Sequence, residues 1–194
     1  MKFNEIPKFV INLDRRPDRM ESITKEMEYL GWEFERFSAI DTNSYMGITK
    51  STLEVIKIAK ERNIHCQWSA NEKTAMEAGL GMSYAGKRAM VCMKHVGLNV
   101  AADVFMNMSV SGINGGLVVV VADDPSMHSS QNEQDSRYYG KFAMIPMLEP
   151  SNQQECYEIT KYAFDLSEKL SLPVLIRMVT RLSHSRAGIS TSER

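Results

Sequence analysis

Glu72, Lys94, His95 and His128 are the side chains whose types and places in the sequence best suit proton transfer and charge contact. A carboxylate holds or relays a proton, an imidazole exchanges one near neutral pH, and an ammonium group is a compact point charge. Each stands close to an apolar run. Lys94 and His95 follow AMVCM, Asp123, Asp124 and His128 follow LVVVVA, and Thr180 and Arg181 follow PVLIRMV. Glu72 opens the stretch SANEKTAMEAGLGMSYAG, residues 69–86, whose inward positions are almost all Ala, Gly and Met. All of these residues also have ordinary readings. An acid in a helix's first turn is favoured by the macrodipole whatever else it does. Asp124-Pro125 is a common turn opener, His95 and His128 read as well as loop histidines, and Arg181 as a solvated charge.

The elements that must position these residues alternate in kind. Short apolar runs at 9–13, 32–40, 65–69, 89–93, 117–122 and 173–179 read as strands. Helical patterns occupy 18–30, 51–62, 72–85, 98–110 and 135–144, and a further one runs from a cap at Ser151 and Gln154 to about 170. The β-branched run LVVVVA suits a strand covered on both faces. Strand–helix alternation predicts an α/β fold of three layers around a mostly parallel sheet. Ligands of such sheets bind beyond the carboxyl ends of the strands, which is where the polar residues fall. The small-residue helix is costly, each glycine losing about 1 kcal/mol against alanine. That loss makes sense where another backbone, subunit or cofactor approaches closely, and a neighbouring helix gives the same pattern. The tail from 186 is polar and is expected to fray.

Composition removes several functions. With 23 basic and 24 acidic residues the net charge is −1, so nothing electrostatic points to nucleic acid or an anionic membrane. No apolar run approaches the roughly 20 residues of a membrane span, and residues 1–7 lack a signal-peptide core, so a cytoplasmic location is expected. Cys66, Cys92 and Cys156 are far apart with no CxxC spacing, which argues against a cluster, a structural zinc or a disulfide framework within the chain. No metal ligands are assigned, and each cysteine is expected in a strand or helix as a small apolar residue.

Three long runs carry a family resemblance: WSANEKTAMEAGLGMSYAGKRAMVCMKHVGLNVAAD, GGLVVVVADDPSMHSSQNEQDSRYYGKFAMIPMLEPS and LPVLIRMVTRLSHS. From about 51 to 185 the chain resembles the pyrimidine-binding domain of the large subunit of indolepyruvate:ferredoxin oxidoreductases, which are thiamine-diphosphate enzymes. The resemblance implies the role of Glu72. In such enzymes a glutamate ahead of the small-residue helix hydrogen-bonds the aminopyrimidine ring of the cofactor and promotes the tautomer that takes the thiazolium proton. A 2-oxo acid is then decarboxylated with the cofactor as electron sink. Catalytic roles are carried onto Glu72, His95 and His128, and cofactor contact onto Glu72, Lys94, Gly97 and Asn99. The helix would then be thin because a cofactor and a partner domain press on it.

The family's opening strand and helix, its Gly-Tyr-Pro-Gly-type loop, its diphosphate/magnesium motif and its cysteine-rich segment have no counterpart in the sequence. Magnesium and iron–sulfur clusters are therefore expected on partner regions, and the isolated chain is not expected to turn over indolepyruvate. The implied partners are a diphosphate-binding domain or subunit, ferredoxin reached through a cluster domain, and a 2-oxo acid, in a homo- or hetero-oligomer. Residues 8–41, KFVINLDRRPDRMESITKEMEYLGWEFERFSAID, instead resemble the opening of family-25 glycosyltransferases. The chain thus reads as a chimera: a glycosyltransferase-like segment at 1–47, standing in for the first βα unit, a pyrimidine-binding domain at 48–186, and a polar tail at 187–194. Two other functions stay open. One is a truncated sugar transferase that uses a UDP-sugar, with residues 12–19 and the pair Asp123 and Asp124. The other is a non-catalytic association module.

Overall fold

The computed structural model describes residues 64–191, the strands Phe9–Asn12 and Glu35–Ser38, and the single positions Ala59 and Glu61. The chain divides into two compact units, Met1–Ser44 and Tyr45–Arg194. In the first, β1 (Phe9–Asn12) pairs in parallel with β2 (Glu35–Ser38), Phe9 opposite Glu35 and Asn12 opposite Ser38. The helix expected at 18–30 lies outside the described residues. So does most of that at 51–62, of which Ala59 and Glu61 are helical.

In the second unit four strands form a sheet in the order β3-β4-β6-β5, every pair parallel. They are β3 (Ala89–Lys94), β4 (Leu117–Asp123), β5 (Met147–Leu148) and β6 (Val174–Val179). Besides the helical positions Ala59 and Glu61, the described residues form α1 (Glu72–Tyr84), α2 (His95–Val100), α3 (Ala102–Ser111), α4 (Arg137–Ala143), α5 (Gln153–Leu170) and α6 (Thr180–Ser183). Strand side chains alternate between faces. Val119, Val121 and Leu175 pack with Met76, Leu98, Phe105 and Met108 beneath α1 to α4. Val118, Val174 and Ile176 pack on Ala163 of α5. Helices therefore cover both faces, and the valine run of β4 is buried on each side. Fully buried side chains such as Phe105 and Leu117 each contribute about 1.5–3 kcal/mol through the area they remove from water.

α1 begins where Asn71, extended at φ −157°, accepts a hydrogen bond from the Thr74 amide at 2.9 Å. It ends before Gly86, whose φ of 73° suits glycine. Gly79 explains the thin face at one point. A β-carbon there would lie 2.5 Å from Cγ2 of Val91, so glycine lets α1 settle directly on β3. Gly81 meets nothing within 4 Å. The close neighbour at Gly79 is the chain's own sheet rather than a cofactor.

Several sequence expectations change. Residues 65–69 carry no strand pairing among the described residues, and Ile64 and Trp68 beside and within them are largely exposed. Apolar content alone does not make a strand without a ladder partner. Cys66 therefore lies in irregular structure, unlike Cys92 on β3 and Cys156 on α5. β3 runs one residue further than predicted because Lys94 still pairs opposite Ala122. The helix placed at 98–110 is two helices that bend at Ala101, so that Leu98, Ala101 and Phe105 all reach full burial in one core. α5 is capped by Asn152, not Ser151: the Asn152 side chain accepts from the Glu155 amide at 2.9 Å, while Ser151 donates to the Glu155 carboxylate. The polar tail is tied at one point by a reciprocal pair of hydrogen bonds between Gln154 and the backbone of Ser190.

Candidate functional site

The polar rim lies at the carboxyl ends of β3, β4 and β6, as parallel-sheet geometry favours. α1 runs back against the strands, so its first residue, Glu72, arrives at the same edge. The Glu72 side chain lies on Gly97 of α2: a β-carbon at Gly97 would fall 2.8 Å from Cδ and 2.8 Å from Oε1 of Glu72. Glu72 is half-buried, and no donor among the described residues hydrogen-bonds or ion-pairs with its carboxylate.

α2 and the loop 124–136 are stitched together beside it. His95 is fully buried. Its Nδ1 lies 3.2 Å from the Ala122 carbonyl oxygen, and its Nε2 lies 2.9 Å from the Asn132 carboxamide. Both partner atoms, the Ala122 carbonyl oxygen and Asn132 Oδ1, only accept, so the ring donates to them through whichever nitrogen carries the proton. Asn99 and Gln134 exchange two hydrogen bonds at 2.9 Å, Tyr139 donates to the Asn99 oxygen, and Gln134 also donates to the His95 carbonyl. The Lys94 ammonium donates to the Ser129 carbonyl at 3.0 Å. Burial pulls the Lys94 pKa down, against the opposing pull of Asp124.

Asp123 and Asp124 are both buried and both engaged. Burial pushes the Asp124 carboxyl up, but donors outweigh it. Thr180 Oγ1 at 2.6 Å and the amides of Ser129 and His128 at 2.6 and 3.1 Å hold its pKa down at about 2. Asp123 is taken up by Ser136 and Arg177. Neither carboxylate is free for a cation, and among the described residues no group of three His, Cys, Asp or Glu side chains is placed to hold one. His128 is exposed at the loop. Just before it, Ser126 and Met127 sit at φ 67° and 53°, a region that costs non-glycine residues about 1–3 kcal/mol each and survives only where the surroundings enforce it.

The rim thus brings together Glu72, Lys94, His95, Gly97 and Asn99. His128 stands at its solvent side, and the Arg181 side chain is exposed. Sequence reasoning missed Asn132, Gln134, Tyr139, Ser136 and Arg177. The dense polar run HSSQNEQD after a buried strand was the available signal for the first two. Arg177 sits within an apolar strand pattern and gave none.

A family model described as "Pyruvate flavodoxin/ferredoxin oxidoreductase, thiamine diP-bdg" matches residues 49–194. The chain belongs to this family. Members of the oxidoreductase family that resemble it include the indolepyruvate oxidoreductase subunit IorA of Pyrococcus horikoshii, 57% identical over 136 residues, covering 70% of this chain and 21% of the relative. The corresponding subunit of Thermococcus kodakarensis is 50% identical over 152 residues, covering 77% and 24%. The chain therefore spans between a fifth and a quarter of the length of these relatives. A solved 2-oxoglutarate:ferredoxin oxidoreductase from Magnetococcus marinus, with 2-oxoglutarate, coenzyme A and succinyl-CoA bound, superposes with a TM-score of 0.50 at 16% identity. That match covers 93% of this chain and 27% of the other and shows a shared fold. A second family model, glycosyltransferase family 25 (LPS biosynthesis protein), matches residues 5–81 and overlaps the oxidoreductase match over 49–81. No helix among the described residues is long and apolar enough to cross a membrane.

Proposed function

We propose that this chain forms the pyrimidine-binding half of a thiamine-diphosphate 2-oxoacid:ferredoxin oxidoreductase of the indolepyruvate type. One observation carries the reading: Glu72 is a half-buried carboxylate set against Gly97 that no donor of the described chain reaches. Partly desolvating a carboxylate without a donor is unfavourable, so the position makes sense where a ligand supplies one. A protonated aminopyrimidine ring nitrogen is such a donor. Asp123 and Asp124 already have theirs, which supports Glu72 in the role.

When bound, thiamine diphosphate supplies the electron sink on which a 2-oxo acid loses carbon dioxide. The part of Glu72 is to accept a hydrogen bond at its carboxylate and share the proton there. Gly97 keeps the space beside that carboxylate open. Lys94 and Asn99 hold the floor of the site through Ser129 and Gln134. His95 acts through Asn132 and Ala122, and exposed His128 is the imidazole available to a substrate.

The complete activity would convert aryl pyruvates to acyl-CoA with ferredoxin as electron acceptor, in the cytoplasm. It would need a diphosphate-binding domain or subunit with its magnesium, a cluster-bearing region, and an oligomer that joins them. The family-25 match supports a foreign segment at 1–47 ahead of the domain at 48–186 and the tail at 187–194. The test is calorimetry with thiamine diphosphate and magnesium, on the chain alone and with a complementary diphosphate-binding domain, for wild type and Glu72→Ala. Binding that the substitution weakens is expected, and equal binding by both proteins under both conditions removes Glu72 from the mechanism. The same match also favours a sugar-nucleotide reading. Titration with a UDP-sugar and manganese would support that reading if heat of binding appeared and thiamine diphosphate gave none.

A further inference from the structure

Arg177 is the fourth residue of β6, faces the same side as Leu175, and is 5% exposed. Strand alternation would place an apolar side chain there, and desolvating a guanidinium carries a large penalty. Three carboxylates surround it. Its Nε donates to Oδ2 of Asp123 at 2.5 Å, its Nη1 bonds Glu149, and Oδ1 of Asp135 lies 3.6 Å from Nε. Asp123 also accepts from the amide of Ser136 at 2.9 Å and from its hydroxyl. Asp123 ends β4 and Ser136 precedes α4, so this one carboxylate ties the two ends of the intervening loop. Asp135, next to Ser136, is gripped in turn by Arg137 through Nε and Nη2 at 2.9 and 2.6 Å.

We propose that the buried Arg177–Asp123 pair is a positioning device that fixes both ends of the loop 124–136, and through it the floor of α2 on which Glu72 lies. The loop is what braces α2: Ser129, Asn132 and Gln134 bond Lys94, His95 and Asn99. Removing the guanidinium leaves the buried Asp123 without its cation at the point where the loop closes, while Asp135 and Glu149 keep Arg137 as theirs. A buried ion pair is a poor source of stability, since an apolar pair of similar size often serves as well or better. What an apolar pair cannot do is hold Ser136. The consequence for cofactor binding rests on the reading of Glu72 given above, whereas the loop's dependence on the pair does not.

The test is amide hydrogen exchange on the full chain without cofactor, for wild type, Arg177→Met and the double variant Arg177→Met with Asp123→Leu, with thermal midpoints. Arg177→Met alone is expected to lower the midpoint by several degrees. The double variant is expected to recover most of that loss, while amides of 128–136 still exchange at least about tenfold faster than in wild type and those of β4 and β6 stay protected. Should Arg177→Met fail to fold, the double variant carries the test by itself. Loop exchange within about twofold of wild type in the double variant overturns the proposal, and so does exchange that rises equally in loop and strands. Wild-type chain that binds no thiamine diphosphate even with magnesium and the complementary diphosphate-binding domain would sink the functional reading and leave the loop result standing.

Discussion

Glu72 lies against Gly97 so closely that a β-carbon at residue 97 would come within 2.8 Å of the Cδ and Oε1 atoms of the glutamate. The first residue of α1 and the third residue of α2 therefore share one small space. Gly97→Ala fills it. The atoms that must yield are the end of a flexible side chain, and alanine favours a helix over glycine by about 1 kcal/mol, so thermal stability should change little. The carboxylate, however, must swing away. Thiamine diphosphate affinity, measured by calorimetry with the complementary domain, is expected to fall as it does for Glu72→Ala. Unchanged affinity would show that the contact has no bearing on binding.

The two glycines of α1 should respond oppositely to alanine. Gly79→Ala drives a methyl group into Val91 of β3 and is expected to cost about 1–3 kcal/mol, as overpacking does. Gly81→Ala meets open space and should stabilise the chain by roughly 1 kcal/mol. Urea unfolding of both variants checks this, and equal shifts of the same sign would contradict it. If a partner domain packs on that side of α1, Gly81→Ala should also weaken their association.

Asp124 predicts an acid-sensitive contribution to stability. Its folded pKa of about 2 lies below the value near 4 of an ordinary aspartate, so the stabilisation is fully present above about 4 and is lost as pH falls toward 2. Thr180→Val removes one donor, Oγ1 at 2.6 Å, and raises that pKa. The stability gap between wild type and Thr180→Val should accordingly shrink between pH 4 and pH 2 in denaturant titrations. A gap that stays constant across the window would place the effect of Thr180 elsewhere.

The cap of α5 separates two neighbouring residues. Asn152→Ala loses the bond to the Glu155 amide and is expected to cost about 1 kcal/mol. Ser151→Ala should cost less, because its backbone amide still donates to the Glu155 carboxylate at 2.7 Å. Thermal unfolding of the two variants decides between them, and a larger loss at Ser151 would restore the cap expected from the sequence pattern.

Local pattern was enough to specify much of this molecule. The valine run of β4, the alternation of strands with helices and the stop at Gly86 depend on neighbours in sequence, and each survives in the structure. The placing of Glu72, Lys94 and His95 at one rim also follows from topology, since parallel strands send their carboxyl ends to the same edge. Residues 65–69 failed as a strand because pairing needs a partner the local pattern cannot name. His95 and Arg177 show the other limit. A histidine after a strand reads equally as reactive or as a loop residue, and only the fold shows it buried with two ring contacts, while an arginine in an apolar run reads as an exception until Asp123, Asp135 and Glu149 converge on it. Sequence by itself determined which elements form and which edge carries the polar groups, because propensity and periodicity are properties of contiguous residues. Only the tertiary structure decided which charges meet, because burial and ion pairing arise between residues far apart in the chain.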